Sequence, residues 1–318
     1  MSEIKLEIIS ESDYRTMIRD KKLPLWANEY ALRAYKDFVI LGVTRKENLI
    51  CTFVAPLYED KIEGWVVKRS FRFLPYMNPV YWEDISPLLK KQIVRLIFDF
   101  LFTNYNYTYI PMHPDFLECA AIASLSGFVE MRQTHVLYEI PEYPNSVKQK
   151  AKKAKKEVQV KVSKNPEDFM FDKAIKGSES EVKLRRQLAV DLLKNNKGFT
   201  FLGIQNDCVK GGIFIALDNE WGYLLHSWKD EDSSKGIIPL LITEAISYLF
   251  NNSLIKVFDF EGSVIDSIDD FFTSFNSQTI TYPYIHYAKK KERFIELINR
   301  SISIPGRANS KEEKNEEI

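Results

Sequence analysis

The chain has no excess charge of either sign: Lys plus Arg and Asp plus Glu each total 44 over 318 residues. No global field therefore recruits nucleic acid or an anionic membrane, and any basic function has to be local. Cysteine is scarce. Cys51, Cys119 and Cys208 are far apart, odd in number and without metal-ligand spacing, which argues against a disulfide framework and fits small buried thiols in a reducing compartment. His113 and His135 show no metal spacing with neighbouring acids, so no metal is predicted. The longest apolar run, Ile93 to Phe102, is broken by Arg95 and Asp99 and is too short to span a bilayer. The opening Met-Ser-Glu-Ile-Lys-Leu-Glu has neither the basic nor the apolar region of a signal peptide. The expectation is a cytoplasmic protein without a transmembrane segment.

What is present is ample apolar material, 45% of the residues, enough for one large or two ordinary domains. The tail from Gly306, rich in Lys and Glu, is expected to be disordered. Alternation and turn signals predict strands at Phe38 to Thr44 and Leu49 to Leu57, turning at Lys46-Glu47-Asn48, and a third around Gly64 to Phe71. A helix from Pro87 to Phe102 follows, capped by Ser86, then a strand at Tyr107 to Pro111, a helix from Asp115 to Leu125 and a strand from Gln133 to Ile140. The second half repeats that order. Strands are predicted at Phe199 to Gln205, Val209 to Leu217 and Trp221 to Trp228, a helix from Gly236 to Phe250, and a strand at Phe258. A helix from Val264 to Phe275 and a strand from Thr279 to Tyr287 close it. Leu41-Gly42-Val43 answers Leu202-Gly203-Ile204, and Tyr109-Ile110-Pro111 answers Phe258-Asp259-Phe260, at similar offsets. The pattern predicts a duplicated mixed α/β domain.

The stretch Phe258-Asp-Phe-Glu-Gly-Ser263 delivers acids, a glycine and a hydroxyl to one strand-to-helix corner. On strand geometry Phe258 and Phe260 share one face while Asp259 and Glu261 share the other. Gly262 allows the turn, and Ser263 with Asp266 reads as a capping box, a more economical role than nucleophile. Glu261 is the candidate for chemistry, because ligands gather at the carboxyl ends of strands in open sheets. Between the halves, Lys148, Lys150, Lys152, Lys153, Lys155 and Lys156 crowd together. Val147, Ala151, Ala154 and Val158 recur at helical spacing as a docking stripe. So many like charges repel unless an anion compensates. A tRNA acceptor arm, a phosphate-bearing substrate or an anionic lipid headgroup would serve, the last implying peripheral membrane contact. A solvated helix face is the alternative.

The tract Phe258-Asp-Phe-Glu-Gly-Ser, followed by Phe271-Phe272-Thr273-Ser274-Phe275-Asn276, resembles the Asp-Phe-Glu-Gly-Ser and Phe-x-x-Ser-Phe-Gly segment of bacterial double-GNAT proteins related to the Fem-type aminoacyltransferases. Lys152-Lys153-Ala154, ahead of Val158-Gln159-Val160, is similar to their Arg-Lys-Ala stretch. The resemblance implies a tandem GNAT fold, with a scaffold domain over 1–145, an active domain over 146–305 and the tail 306–318. It also implies an N-acyltransferase or aminoacyltransferase with no tightly bound cofactor. Its donor would be aminoacyl-tRNA, acyl-CoA or an acyl carrier protein, and its acceptor an amine. Departures are plain: Asp270 to Ser274 contains no lysine where peptidoglycan-building members have one, and Asn276 replaces a glycine. Of the phosphate loop of the acetyl-CoA branch, Ser233 to Ile238 keeps only Gly236, with Lys235 as a charge.

Acyl transfer to an amine needs alignment, a donor for the carbonyl oxygen and a route for the amine proton. In GNAT-type sites a backbone amide of the strand before the phosphate loop meets the second need, here Trp221 to Trp228. The expected catalytic residues are Glu261, His226 and Tyr284, although His226 and Tyr284 suit aromatic packing equally well. Lys152, Lys153, Lys156, Lys235 and Gly236 are the expected donor-binding residues. Trp65, Phe71, Phe73, Tyr76 and Trp82, around Arg69 and Arg72, either line an acceptor cleft or pack the core. The competing reading is a non-catalytic RNA- or polyanion-binding module on a degenerate acyltransferase fold.

Overall fold

The computed structural model describes residues 3–19, 21–35, 37–62, 65–69, 76–105, 107–125, 127–177, 179–262 and 265–288. The expected cap Ser263, the aromatic stretch around Phe71 to Phe73 and the tail 306–318 lie outside these residues. The first half runs β1 (Ile4–Ile8), α1 (Glu11–Ile18), α2 (Glu29–Ala34), β2 (Asp37–Arg45), β3 (Asn48–Ile62), β4 (Trp65–Arg69) and β5 (Val80–Tyr81). It continues through α3 (Pro87–Asn104), β6 (Tyr107–Pro111), α4 (Cys119–Ala123) and β7 (Phe128–Leu137). The second half runs α5 (Asn145–Ala154), β8 (Gln159–Ser163), α6 (Phe171–Ala174), α7 (Glu179–Lys194), β9 (Gly198–Gln205), β10 (Cys208–Asp218) and β11 (Trp221–Lys229). It ends with α8 (Ile237–Asn251), β12 (Val257–Asp259), α9 (Asp266–Thr273) and β13 (Gln278–Ala288).

Local chemistry explains the repeated pieces. Each half has a hairpin turned by two residues in the left-handed region, Lys46 and Glu47 between β2 and β3, Asn206 and Asp207 between β9 and β10. Two such residues make the tight turn whose twist matches paired strands. Helix α3 starts as its sequence predicts, with Ser86 Oγ accepting from the Leu89 amide and Pro87 in the first turn. Ile93, Val94, Ile97, Phe98 and Leu101 form its buried stripe. The predicted helix from Asp115 shrinks to Cys119–Ala123 because the preceding residues turn back on His113. Its Nδ1 accepts from the Asp115 amide and its carbonyl from that of Phe116. The pattern reading passed over β1, α1, α2 and α7.

Pairing, which no local pattern specifies, joins the halves. One sheet has the order β1-β2-β3-β4 with β5 also on β3, and the other runs β6-β13-β7-β12-β11-β10-β9-β8. The last strand of each half thus lies beside the other half's strand: β13 pairs with β6, and β7 with β12. β7 and β13 themselves pair antiparallel from Gln278↔Val136 to His286↔Phe128. An isolated parallel bridge, Met77↔Met112, extends the first half toward β6. The duplication is therefore sealed by exchange of terminal strands.

The site is positioned by β11 and β12. They pair in parallel only at Trp221↔Val257, Gly222↔Phe258 and Tyr223↔Asp259. β11 then runs on to Lys229 while β12 stops at Asp259. Beyond that point the strands no longer bond, leaving a split at the carboxyl end of β12. Among the described residues, no helix is long and apolar enough to cross a membrane.

Candidate active site

At the split, strand alternation puts Phe258 and Phe260 into the apolar layer under α8, their rings 5.0 Å apart. Asp259 faces the other way and is fully buried. A carboxylate there needs donors, and three reach it. Tyr76 OH donates to Oδ2 at 2.8 Å, Thr134 Oγ1 to Oδ1 at 2.6 Å, and the Glu261 amide to Oδ1 at 2.7 Å. Burial still pushes the Asp259 pKa up, against the pull of these bonds.

Glu261 is built differently. Its φ is +62°, a left-handed backbone uncommon for a residue with a Cβ, and Gly262 follows at +37°. A Cβ at Gly262 would lie 2.2 Å from the Gln133 carbonyl, so the second residue must be glycine. The Glu261 Oε1 is shut off from solvent and has no hydrogen-bond partner among the described residues. Burial, then the neighbouring Asp259 charge, pushes its pKa well above the usual range, and Arg185 pulls only partly against them. The shift favours the protonated form of this carboxyl, beside a second acid that accepts from three donors. Perturbed, unequal acids in a cleft are a signature of function.

His226 lies along β11, stacked on Phe214 with centroids 6.0 Å apart. Burial, with Arg185 nearby, pushes its pKa down to about 3 and keeps the imidazole neutral. Glu261 and His226 therefore share a neighbour in Arg185 of α7, which the sequence reading missed. Its helix carries a readable signal, since Leu188, Ala189, Leu192 and Leu193 are buried at helical spacing. Between them β11 bulges: Phe214 faces His226 and Ile215 faces Leu224, so Leu225 has no cross-strand partner.

Tyr284 is elsewhere. It sits on β13 opposite Glu130 and Pro111, its ring 4.1 Å from that of Tyr109 and under the Arg132 guanidinium, also at 4.1 Å. That cluster includes the Arg132–Glu130 ion pair and His286 against Glu130 at 2.8 Å. The aromatic of the first half that does reach the acids is Tyr76. Trp82 lies half-buried on the first-half core.

Gly236 caps α8, but the contact that demands glycine is with protein: a Cβ there would lie 2.2 Å from the Lys150 carbonyl of α5. Gly236→Ala is accordingly expected to push α5 off α8 and cost about 1–3 kcal/mol, read as a lower denaturation midpoint; an unchanged midpoint would refute the close packing. The turn also offers few amides. Ser234 N–H bonds Gln205 Oε1, Ile237 N–H bonds the Ser234 carbonyl, and Pro239 has none. Lys235 is exposed. Lys152 and Lys153 stand exposed in the last turn of α5, Lys156 just beyond it, while Lys155 pairs with Glu244 at 2.6 Å. Val147, Ala154 and Val158 dock α5 in the apolar layer shared with α8, as their spacing predicts. Among the described residues no group of three or more His, Cys, Asp or Glu could hold a metal ion.

No family model matches the chain, and no curated protein matches its sequence. Solved structures match its fold. FemX aligns with a TM-score of 0.64 at 10% identity, covering 92% of this chain and 99% of its own. L-PGS from Bacillus licheniformis aligns at 0.58 and 10% identity, over 94% and 98%. A tandem GNAT protein from the clavulanic acid biosynthesis pathway aligns at 0.51 and 7% identity, over 90% and 98%. The architecture is a tandem GNAT fold of the kind seen in Fem-type acyltransferases.

Proposed function

We propose that the chain is an acyltransferase that moves an acyl or aminoacyl group from an activated donor to an amine, with the reacting centre at the split between β11 and β12. The observation that carries this reading is Glu261: a carboxyl with one buried oxygen, Oε1, that has no hydrogen-bond partner among the described residues, its pKa raised by burial, on left-handed backbone where two strands part. Strained, unsatisfied groups persist where function retains them. The acyl carbonyl lies in the split, and the Leu225 amide at the bulge donates to its oxygen as charge develops. The incoming amine loses a proton to the ionised form of Glu261, which returns one to the leaving oxygen or sulfur. The new C–N bond forms as the donor's C–O or C–S bond breaks, and the protons balance. A carboxyl whose pKa is raised by burial and by a neighbouring acid suits both directions. Asp259 fixes the corner, and neutral His226 borders it.

Donor binding follows from charge. The crowded α8 turn makes a poor pyrophosphate cradle, whereas Lys152, Lys153 and Lys156 project into solvent, so the donor's anionic part is gripped by α5. That favours aminoacyl-tRNA or a carrier protein over CoA. The tandem GNAT neighbour, whose structure is described as lacking AcCoA, keeps CoA in the test. In this reading 146–305 is the working half and 1–145 the wall that supplies Tyr76 and Thr134.

The protein is incubated with pools of aminoacyl-tRNA, acyl-CoA and acyl carrier protein and an amine mixture. Transfer is expected from one pool, reduced about 10²- to 10⁴-fold in Glu261→Gln and retained in Tyr284→Phe. A fully active Glu261→Gln would sink the site assignment.

A further inference from the structure

A second feature lies across Tyr223 from the acid corner. Where the segment around Trp26 meets the turn from β10 into β11, a cavity of roughly 400 Å³ is lined by Trp26, His113, Asp115, Asp218, Trp221 and Tyr223, among others. That volume suits a small organic molecule. Its aromatic walls are ordered by mutual contact. The His113 ring lies 5.5 Å from Trp26 and 4.7 Å, edge-on, from Trp221, while Trp221 stacks on Tyr223 at 6.0 Å. The Trp26 Nε1 donates to the Asn78 carbonyl at 3.0 Å, which fixes that indole.

The charge of the lining is one-sided. Asp115, Asp218 and Glu220 contribute carboxyls, and among the described residues no Lys or Arg lines the cavity. Asp115 leans on His113 Nδ1 at 3.3 Å, Glu220 is paired with Lys256, and Asp218 takes the Leu25 amide. An independent observation marks the inner end. Tyr223 is completely buried, and its hydroxyl has no hydrogen-bond partner among the described residues. A hydroxyl left so costs free energy, and this one belongs to a residue of the cavity wall. Tryptophan faces with nearby carboxylates are the surroundings that hold organic cations, because the ring quadrupole attracts a cation that sheds its water there.

We propose that this cavity binds an organic ammonium group on a short stem, and that this group is the non-reacting end of the amine acceptor. The second clause rests on the acyl-transfer reading; the first stands on the cavity alone. The separation is short: the Tyr76 ring centroid lies 5.5 Å from that of His113 and 6.0 Å from that of Tyr223, and its hydroxyl donates to Asp259. An acceptor anchored here by a cationic end sends its other end past Tyr223 and Tyr76 toward Glu261. The acceptor class is thus a molecule with a fixed positive charge besides the amine that reacts.

The test uses the whole protein with no acyl donor present. Choline and n-butylammonium are titrated against 3,3-dimethyl-1-butanol, the uncharged counterpart of choline, by calorimetry. At least one cation is expected to bind ten-fold or more tightly than the alcohol, and Trp221→Leu and Asp218→Asn are each expected to weaken it five-fold or more. Glu261→Gln keeps cation binding, because Glu261 does not line the cavity. Equal binding of alcohol and cations, no binding of either cation, or full binding by both cavity variants would overturn the proposal. Circular dichroism confirms that each variant is folded, and Trp221→Phe, which keeps an aromatic face, is expected to restore most of the affinity lost in Trp221→Leu. Cation binding without transfer from any pool would overturn only the acceptor assignment, and transfer without cation binding would overturn the cavity and the acceptor assignment while leaving the acyl-transfer reading intact.

Discussion

Replacing Glu261 with glycine is expected to raise stability by about 2 kcal/mol at neutral pH while abolishing acyl transfer. Three effects set the sign. A left-handed residue bearing a Cβ costs about 1–2 kcal/mol that glycine does not, and Glu261 holds φ +62°. A buried polar group without a partner costs about 1–3 kcal/mol, and Oε1 is such a group. Against these, glycine gives back about 0.5–1 kcal/mol in chain entropy. The net gain should appear as a Tm a few degrees higher, since the shift is about 2–4 °C per kcal/mol for chains of roughly 150–250 residues and smaller for longer ones. A variant less stable than the parent would mean that the corner is a structural element and not a functional one, because natural residues that destabilise are retained where activity needs them.

The same substitution makes a prediction in pH. The Glu261 carboxyl is raised above its ordinary value of 4.5 by burial and by Asp259. The folded state therefore holds a proton that the unfolded chain gives up, and stability from this group is full below the ordinary value and is lost as pH rises toward the folded one. The stability gap between Glu261→Gly and the parent should be small in acid and widen toward neutrality. Asp259 and Asp218, also raised, are present in both proteins, so the difference reports Glu261 together with its coupling to Asp259. Urea titrations of both proteins at either end of the window measure it, and a gap independent of pH would contradict the assigned protonation.

The strands and the carboxylate corner were legible because their causes are local. Two-residue turns at Lys46-Glu47 and Asn206-Asp207, alternating apolar runs and the Ser86-Pro87 start each act within a few residues. The echo of Tyr109-Ile110-Pro111 in Phe258-Asp259-Phe260 falls on two strands of one sheet, β6 and β12. What the sequence hid depends on distant partners. Nothing in Gln278 to Ala288 says that it will lie between β6 and β7, and nothing near Gly236 says that its neighbour is the Lys150 carbonyl. The resemblance implies a phosphate-loop role for that glycine, yet a glycine leaves space for whatever approaches, and here α5 approaches. Alternation also misplaces Glu261: β12 stops at Asp259, and the left-handed turn that follows gives one acid three donors and leaves the other with an oxygen unpartnered among the described residues.

That contrast makes Asp259 the residue whose removal should cost the fold most. Its three donors come from different pieces of the molecule: Tyr76 from the first half, Thr134 from the exchanged β7, and the Glu261 amide from the corner itself. Asp259→Ala leaves two buried hydroxyls unsatisfied, about 1–3 kcal/mol each, offset in part by relief of burying the carboxyl. A net loss of about 2–4 kcal/mol is expected. Tyr76→Phe removes a single bond to a charged acceptor and should cost about 1.5–3 kcal/mol. If the Asp259–Tyr76 bond ties the halves together, the double variant should lose less than the sum of the two, with a coupling of about 1–2 kcal/mol. Denaturant titration of the four proteins closes the cycle, and strict additivity would mean that the bond carries no energy of its own. Transfer should fall in Asp259→Ala even at temperatures where the variant stays folded, because the carboxyl that accepts from the Glu261 amide also holds Glu261 in its left-handed turn at the split.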